Sequence, residues 1–157
     1  MADPIPPEEG DDVRRLAMRL SVGYFLRFIE ILSDVSDRNL VQGIILLAIM
    51  GANVGALDTD PVASRQFAGL AAIPPDTLRR PISVYALAAS LGLPYETVRR
   101  HVHKMIAQGV CERVGDEGVI VPARVMEGGQ MLKAVDRNFQ NLKGLVRGLK
   151  RADIGID

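Results

Sequence analysis

Residues 81–110 read Pro81-Ile-Ser-Val-Tyr-Ala-Leu-Ala-Ala-Ser-Leu-Gly-Leu-Pro-Tyr-Glu-Thr-Val-Arg-Arg-His-Val-His-Lys-Met-Ile-Ala-Gln-Gly-Val110. Two helices are legible in this run. Ser83 has the side chain of an N-cap, and a short helix over Val84–Ser90 would turn Leu87 and Leu91 inward. Gly92 permits a left-handed residue, Leu93 plugs the bend, and Pro94 and Tyr95 open a second helix over 95–108. Val98, Val102, Met105 and Ile106 form its apolar stripe, and Gly109 ends it. Two helices joined by a short glycine turn predict a helix-turn-helix.

Immediately downstream, Val110-Cys-Glu-Arg-Val114 has strand character, Gly115-Asp-Glu-Gly118 is a turn, and Val119-Ile-Val121 is a second strand. A hairpin directly after the second helix is a wing. Residues 79–124 therefore resemble the winged helix-turn-helix of bacterial transcriptional regulators of the GntR, ArsR and MarR families. The resemblance rests on Leu87-Ala88, then Gly92-Leu93-Pro94-Tyr95-Glu96-Thr97-Val98-Arg99-Arg100-His101-Val102, then Gly109-Val110. The markers that separate those families are absent. The wing lacks the Asp-x-Arg of MarR proteins, a single Cys excludes the paired-cysteine metal sensor of ArsR proteins, and the chain has no room for a GntR effector domain.

Outward from this segment the chain reads as helical flanks. Residues 1–12 hold three prolines and five acids and predict a disordered acidic tail, with Asp11 or Asp12 free to cap the first helix. Over 13–57 two helices are expected. The first carries Leu16, Leu20, Tyr24, Phe28 and Ile31 at helical spacing, widened by Phe25 and Leu32, and ends near Asp34. The second, capped by Ser36 or Asp37, runs through Leu40, Ile44, Leu47 and Ala48, and is apolar on nearly all sides over Ile44–Met50. Residues 58–80, punctuated by Pro61, Pro74 and Pro75, predict a long connection with room for a short helix near Val62–Gly69. Over 123–151 the stripe Leu132, Val135, Phe139, Leu142, Val146 and Leu149 predicts a C-terminal helix. It would pack on Val13–Asp34 of the same chain or of a second copy, and flanking helices of this kind resemble the MarR dimerisation arrangement. The expected fold is mainly α with a small β-hairpin wing.

Composition narrows the function. The run Ile44–Met50 is far shorter than the roughly 20 residues that span a bilayer, and the first residues show no secretory signal, so a cytoplasmic chain without membrane contact is expected. Net charge is zero, but residues 1–78 carry 6 Lys/Arg against 11 Asp/Glu, whereas 79–157 carry 13 against 8. The basic half contains the helix-turn-helix, as a polyanion-binding segment would. With Val98, Val102 and Met105 inward, about 100° per residue turns Glu96, Arg100, His103 and Lys104 outward. In the resembling regulators that face enters the major groove. Arg100 suits guanine O6 and N7; Tyr95 and Thr97 suit phosphates, or Thr97 a thymine methyl; Arg99 and Lys104 suit phosphates. Arg79 and Arg80, just upstream, and Arg113 and Arg124, at the wing base, are further backbone candidates, while Asp116 and Glu117 at the wing tip would repel phosphates.

Other chemistries fit less well. His101 and His103 diverge on a helix, and with Cys111 they fall short of four zinc ligands, so no metal and no cofactor are expected. Gly51-Ala-Asn-Val-Gly55 lacks the Lys and Ser/Thr of a phosphate loop and comes after a helix, so fraying or close helix packing accounts for it. No nucleophile–base pair is legible, which argues against an enzyme. The expected function is a homodimeric, sequence-specific regulator that binds double-stranded DNA. An unidentified small-molecule effector would sit between the terminal helices and the winged segment, walled by Ile44–Met50 and residues 58–80. The alternative is a winged helix that docks a protein and binds no DNA.

Overall fold

The structure is a computed structural model that describes residues 12–155. The expected acidic tail, Asp12 excepted, lies outside the described residues. Those residues form a mainly helical fold with one two-stranded antiparallel hairpin. Helix α1 (Arg14–Asp34) has Val13, not Asp12, at its cap position; the Asp12 carboxylate, one residue earlier, accepts the Arg14 amide at 3.1 Å. Helix α2 (Leu40–Asp58) is capped by Asn39, not by Ser36 or Asp37. Asn39 is extended, which lets its side chain accept the Gln42 amide at 3.0 Å, while Ser36 is held back by donating to the Leu32 carbonyl. Asp37 and Arg38 adopt left-handed conformations, φ 50° and 59°, and make the reversal between the helices.

Helix α2 runs on through Gly51 and Gly55. It is the one described helix long and apolar enough to cross a membrane by length and composition, a property hidden from a reading of Ile44–Met50 alone. In this fold its Ile45, Leu46 and Ile49 lie at the centre of the core. They meet Leu87 and Ala88 of α4 (Val84–Leu91), Val98, Val102 and Met105 of α5 (Tyr95–Ala107), and Val119 of the hairpin. Complete burial of each large side chain contributes on the order of 2 kcal/mol. Helix α2, from the expected N-terminal segment 13–57, thus shares one core with α4 and α5.

The local signals at α4 and α5 operate as expected. Ser83 accepts the Ala86 amide at 3.1 Å, Gly92 turns at φ 63°, and Gly109 leaves α5 at φ 74°. Strands β1 (Glu112–Val114) and β2 (Gly118–Ile120) pair with Arg113 opposite Val119. Ile82 forms a single antiparallel bridge to the hairpin, exchanging two backbone hydrogen bonds with Val119 at 3.1 and 2.9 Å. Gly118 lies against this bridge at φ 140°, and a Cβ there would collide with the Ile82 carbonyl.

Residues 58–80 are an arm with structure of its own. Helix α3 (Pro61–Gln66) is capped by Asp60, and a 3-10 turn covers Asp76–Leu78. The expected C-terminal helix is divided into α6 (Ala123–Met126) and α7 (Gly129–Arg151), because Gly128 is extended. Helix α7 packs antiparallel on α1 of the same chain. Tyr24 bonds Asn138, Arg27 bonds Asn141, and Arg137 pairs with Asp34 at 2.7 Å. Met18, Phe25 and Leu26 of α1 and Val135, Phe139 and Leu142 of α7 remain exposed.

Candidate nucleic-acid interface

Val98, Val102 and Met105 of the α5 stripe are at 0% exposure, and Ile106 is half-buried. Three buried residues at i, i+4 and i+7 fix the rotation of the helix about its axis. Glu96, Arg100, His103 and Lys104 consequently point outward and are exposed, as is Tyr95, while Thr97 and Arg99 are half-buried.

The charges on this face are not equivalent. Arg99 is bound to Glu96 one turn earlier, with Nη2 2.9 Å from Oε2 and Nε donating to both carboxylate oxygens. The pair is close to neutral as a unit. Among the described residues Arg100 and Lys104 enter no ion pair, nor do the exposed Arg80 and Arg113. These four cations are free to meet an anionic partner. The hairpin turn presents Asp116 and Glu117, both exposed.

Two expected backbone contacts are engaged elsewhere. The Arg79 side chain is 3% exposed and folds inward. Its backbone amide closes the 3-10 turn on the Asp76 carbonyl, which directs the side chain back under the arm. There Nη2 donates to the Pro74 carbonyl at 3.0 Å and Asp76 lies 3.5 Å from Nε. A buried Arg79 cannot reach a phosphate in this conformation. Arg124 is exposed but committed, bonding Glu112 at 2.6 Å and the Gly109 carbonyl at 3.0 Å, so it ties α6 to the hairpin and to the end of α5.

The groups weighed as metal ligands do not converge. His101 is half-buried, and burial, then the neighbouring Arg100 and Lys104, hold its imidazole below its ordinary value. Cys111 is buried at 1% exposure, and burial pushes its thiol up to about 12, which removes it as a nucleophile near neutrality. Among the described residues no three His, Cys, Asp or Glu side chains gather to hold a metal.

One residue that positions the site is not legible from motifs. Asn53 is 1% exposed and braces the hairpin from α2. Its Nδ2 donates to the Arg80 carbonyl at 2.7 Å and to the Val119 carbonyl at 3.3 Å, and its Oδ1 accepts the Val121 amide at 2.9 Å. Its own carbonyl accepts the Arg80 amide at 2.9 Å. The segment carrying Arg80 into α4 and the strand after β1 therefore share one anchor. The signal was present in the spacing. Ile45, Ile49 and Asn53 recur every four residues on one helix face, and a polar group in a buried row must find partners.

Of the two walls expected for an effector pocket, residues 58–80 line a cavity and Ile44–Met50 contributes one residue to it. A cavity of about 500 Å³ opens between the last turns of α2, the arm and α7. Met50 is the only residue of Ile44–Met50 that lines it; Val54, Phe67, Ile73 and Phe139 are among its apolar lining residues, and Arg79 lines it too. No protein family, no characterised protein and no solved structure matches this chain.

Proposed function

We propose that this chain is a sequence-specific, double-stranded-DNA-binding transcriptional regulator of winged helix-turn-helix type, acting as a cytoplasmic homodimer. The observation that carries the reading is the outward face of α5. Its rotation is locked by the fully buried Val98, Val102 and Met105, and it presents Arg100 and Lys104 without ion pairs. A rigid helix with unpaired cations, set between a glycine turn and a braced hairpin, suits insertion into the major groove. Arg100 would read guanine, Lys104, Arg80 and Arg113 would hold phosphates, and Tyr95 and Thr97 would flank them. Glu96 would have to release Arg99 or turn towards a cytosine amino group.

The exposed apolar residues of α1 and α7 supply a surface for a second copy, which would set two α5 helices about 34 Å apart on a palindromic site. The acidic turn at Asp116 and Glu117 and the neutralised Arg99 favour the second reading, a winged helix that docks a basic protein surface.

Fluorescence anisotropy separates the two. Duplexes selected from a random pool should bind with a steep loss of affinity between low and physiological salt. Arg100→Ala should weaken selected duplexes by about 1–3 kcal/mol and relax one base position. Phe139→Glu should weaken a palindrome while leaving a half-site unchanged. Absence of binding at low salt overturns DNA recognition in favour of docking.

A further inference from the structure

The cavity beside the arm contains a buried charge that the fold itself leaves incompletely satisfied. Arg79 lines the cavity with its side chain only 3% exposed. Its Nε has no hydrogen-bond partner, and its one close carboxylate is divided, because Asp76 Oδ1 also accepts the Ala123 amide at 2.7 Å. Burial lowers the guanidinium from its ordinary value, the direction expected of a cation short of partners. Around it the wall is largely apolar, from Met50, Val54, Phe67, Ile73 and Phe139. The two acids of the lining, Asp58 and Asp136, are exposed, which leaves Arg79 as the buried charge of the wall. About 500 Å³ lies within the range of small-molecule sites.

We infer that this cavity binds a small organic acid, with its carboxylate on Arg79 and an apolar chain or ring against Val54, Phe67, Ile73 and Phe139. A guanidinium presents donors in a fork that matches a carboxylate, and the pairing would add a counter-charge to a buried cation that has only a divided one. The site has a direct mechanical link to the candidate DNA face. Arg79 is followed by Arg80, whose backbone is clasped by Asn53, and then by Ile82, which pairs with Val119. A ligand that draws on Arg79 therefore pulls on the lead-in to α4. This deepens the regulator reading by naming its effector class and rests on that reading for its purpose, while binding itself is measured without DNA.

The test is isothermal titration of the full chain with octanoate and trans-cinnamate, each beside its neutral primary amide. The acids should bind at least about tenfold more tightly than the amides, the ratio expected of one buried charged pair. The better of the two acids tells a chain from a ring. Arg79→Gln should erase the difference between acid and amide. Should that variant fail to fold by circular dichroism, Ala68→Phe, which fills the cavity from an exposed position, should abolish acid binding in a folded chain. Equal binding of acid and amide, no binding of either, or full binding by Ala68→Phe overturns the inference. A protein that binds the acids but no DNA leaves this site standing and removes the regulator reading, whereas one that binds DNA but no acid does the reverse.

Discussion

The α4–α5 segment and the α1–α7 pair are both built from amphipathic helices, yet they complete their burial to different degrees. On α4 and α5 the inward positions Leu87, Val98, Val102 and Met105 are closed to 0% exposure, because α2 packs on both helices, α4 packs on α5, and Val119 and Val121 of the hairpin segment join the same core. On α1 and α7 the two stripes meet along only part of their width. Phe25 and Phe139 remain 56% and 55% exposed. A two-helix layer can bury only the surface that faces its partner, while three elements around a fourth can enclose a side chain. The first region is therefore finished within one chain, and the second leaves an apolar surface exposed.

This contrast has measurable consequences. Leu87→Ala should destabilise the chain by about 3 kcal/mol in urea denaturation, since it opens a cavity on a side with no room to collapse. Phe139→Ala should cost less than about 0.5 kcal/mol at a concentration where the chain is monomeric. Equal costs would break the comparison by showing the α1–α7 pair to be as enclosed as the core. Asn53→Ala should cost about 2 kcal/mol, because it strands the buried Val121 amide and the Arg80 carbonyl, while the Val119 carbonyl keeps the Ile82 amide. In amide hydrogen exchange its effect should concentrate in residues 80–84 and 118–121 and spare α1 and α7. Protection lost evenly over the chain would contradict the bracing role.

The smallest effect is on pH. In the folded chain His101 sits below its ordinary value of 6.5, so the unfolded chain binds the proton more readily. Stability should therefore fall as pH is lowered from 6.5 towards the depressed folded value, and level off beneath it. His101→Gln should flatten that limb in melting experiments between pH 7 and 5. An unchanged slope in the variant would assign the acid sensitivity to another group.

Much of the local structure was legible. Ser83, Gly92 and Gly109 delimit α4 and α5 through hydrogen bonds and dihedral angles that involve residues only a few positions away. The buried rotation of α5, and with it the exposure of Arg100, His103 and Lys104, comes from a period of 3.6 residues. The cap of α2 was misplaced by two or three residues, because Ser36, Asp37 and Asn39 all have cap-forming side chains, and only the path of the reversal selects Asn39.

Other features are decided by contacts between distant parts of the chain. Arg79 and Arg80 are adjacent and chemically identical in sequence, yet one is sealed beside a cavity and the other exposed, because the 3-10 turn at Asp76–Leu78 directs Arg79 under the arm. Asn53 finds its partners 27 to 68 residues away, where no local pattern could place them. Which apolar stripes stay exposed on α1 and α7 likewise depends on how many elements reach them. Helix limits and faces are written in short-range dihedral and hydrogen-bond preferences, so the sequence alone determines them. The burial of one arginine, the bracing of the hairpin and the uncovered α1–α7 surface arise when separate elements compete for the same space, and only the tertiary structure decides that.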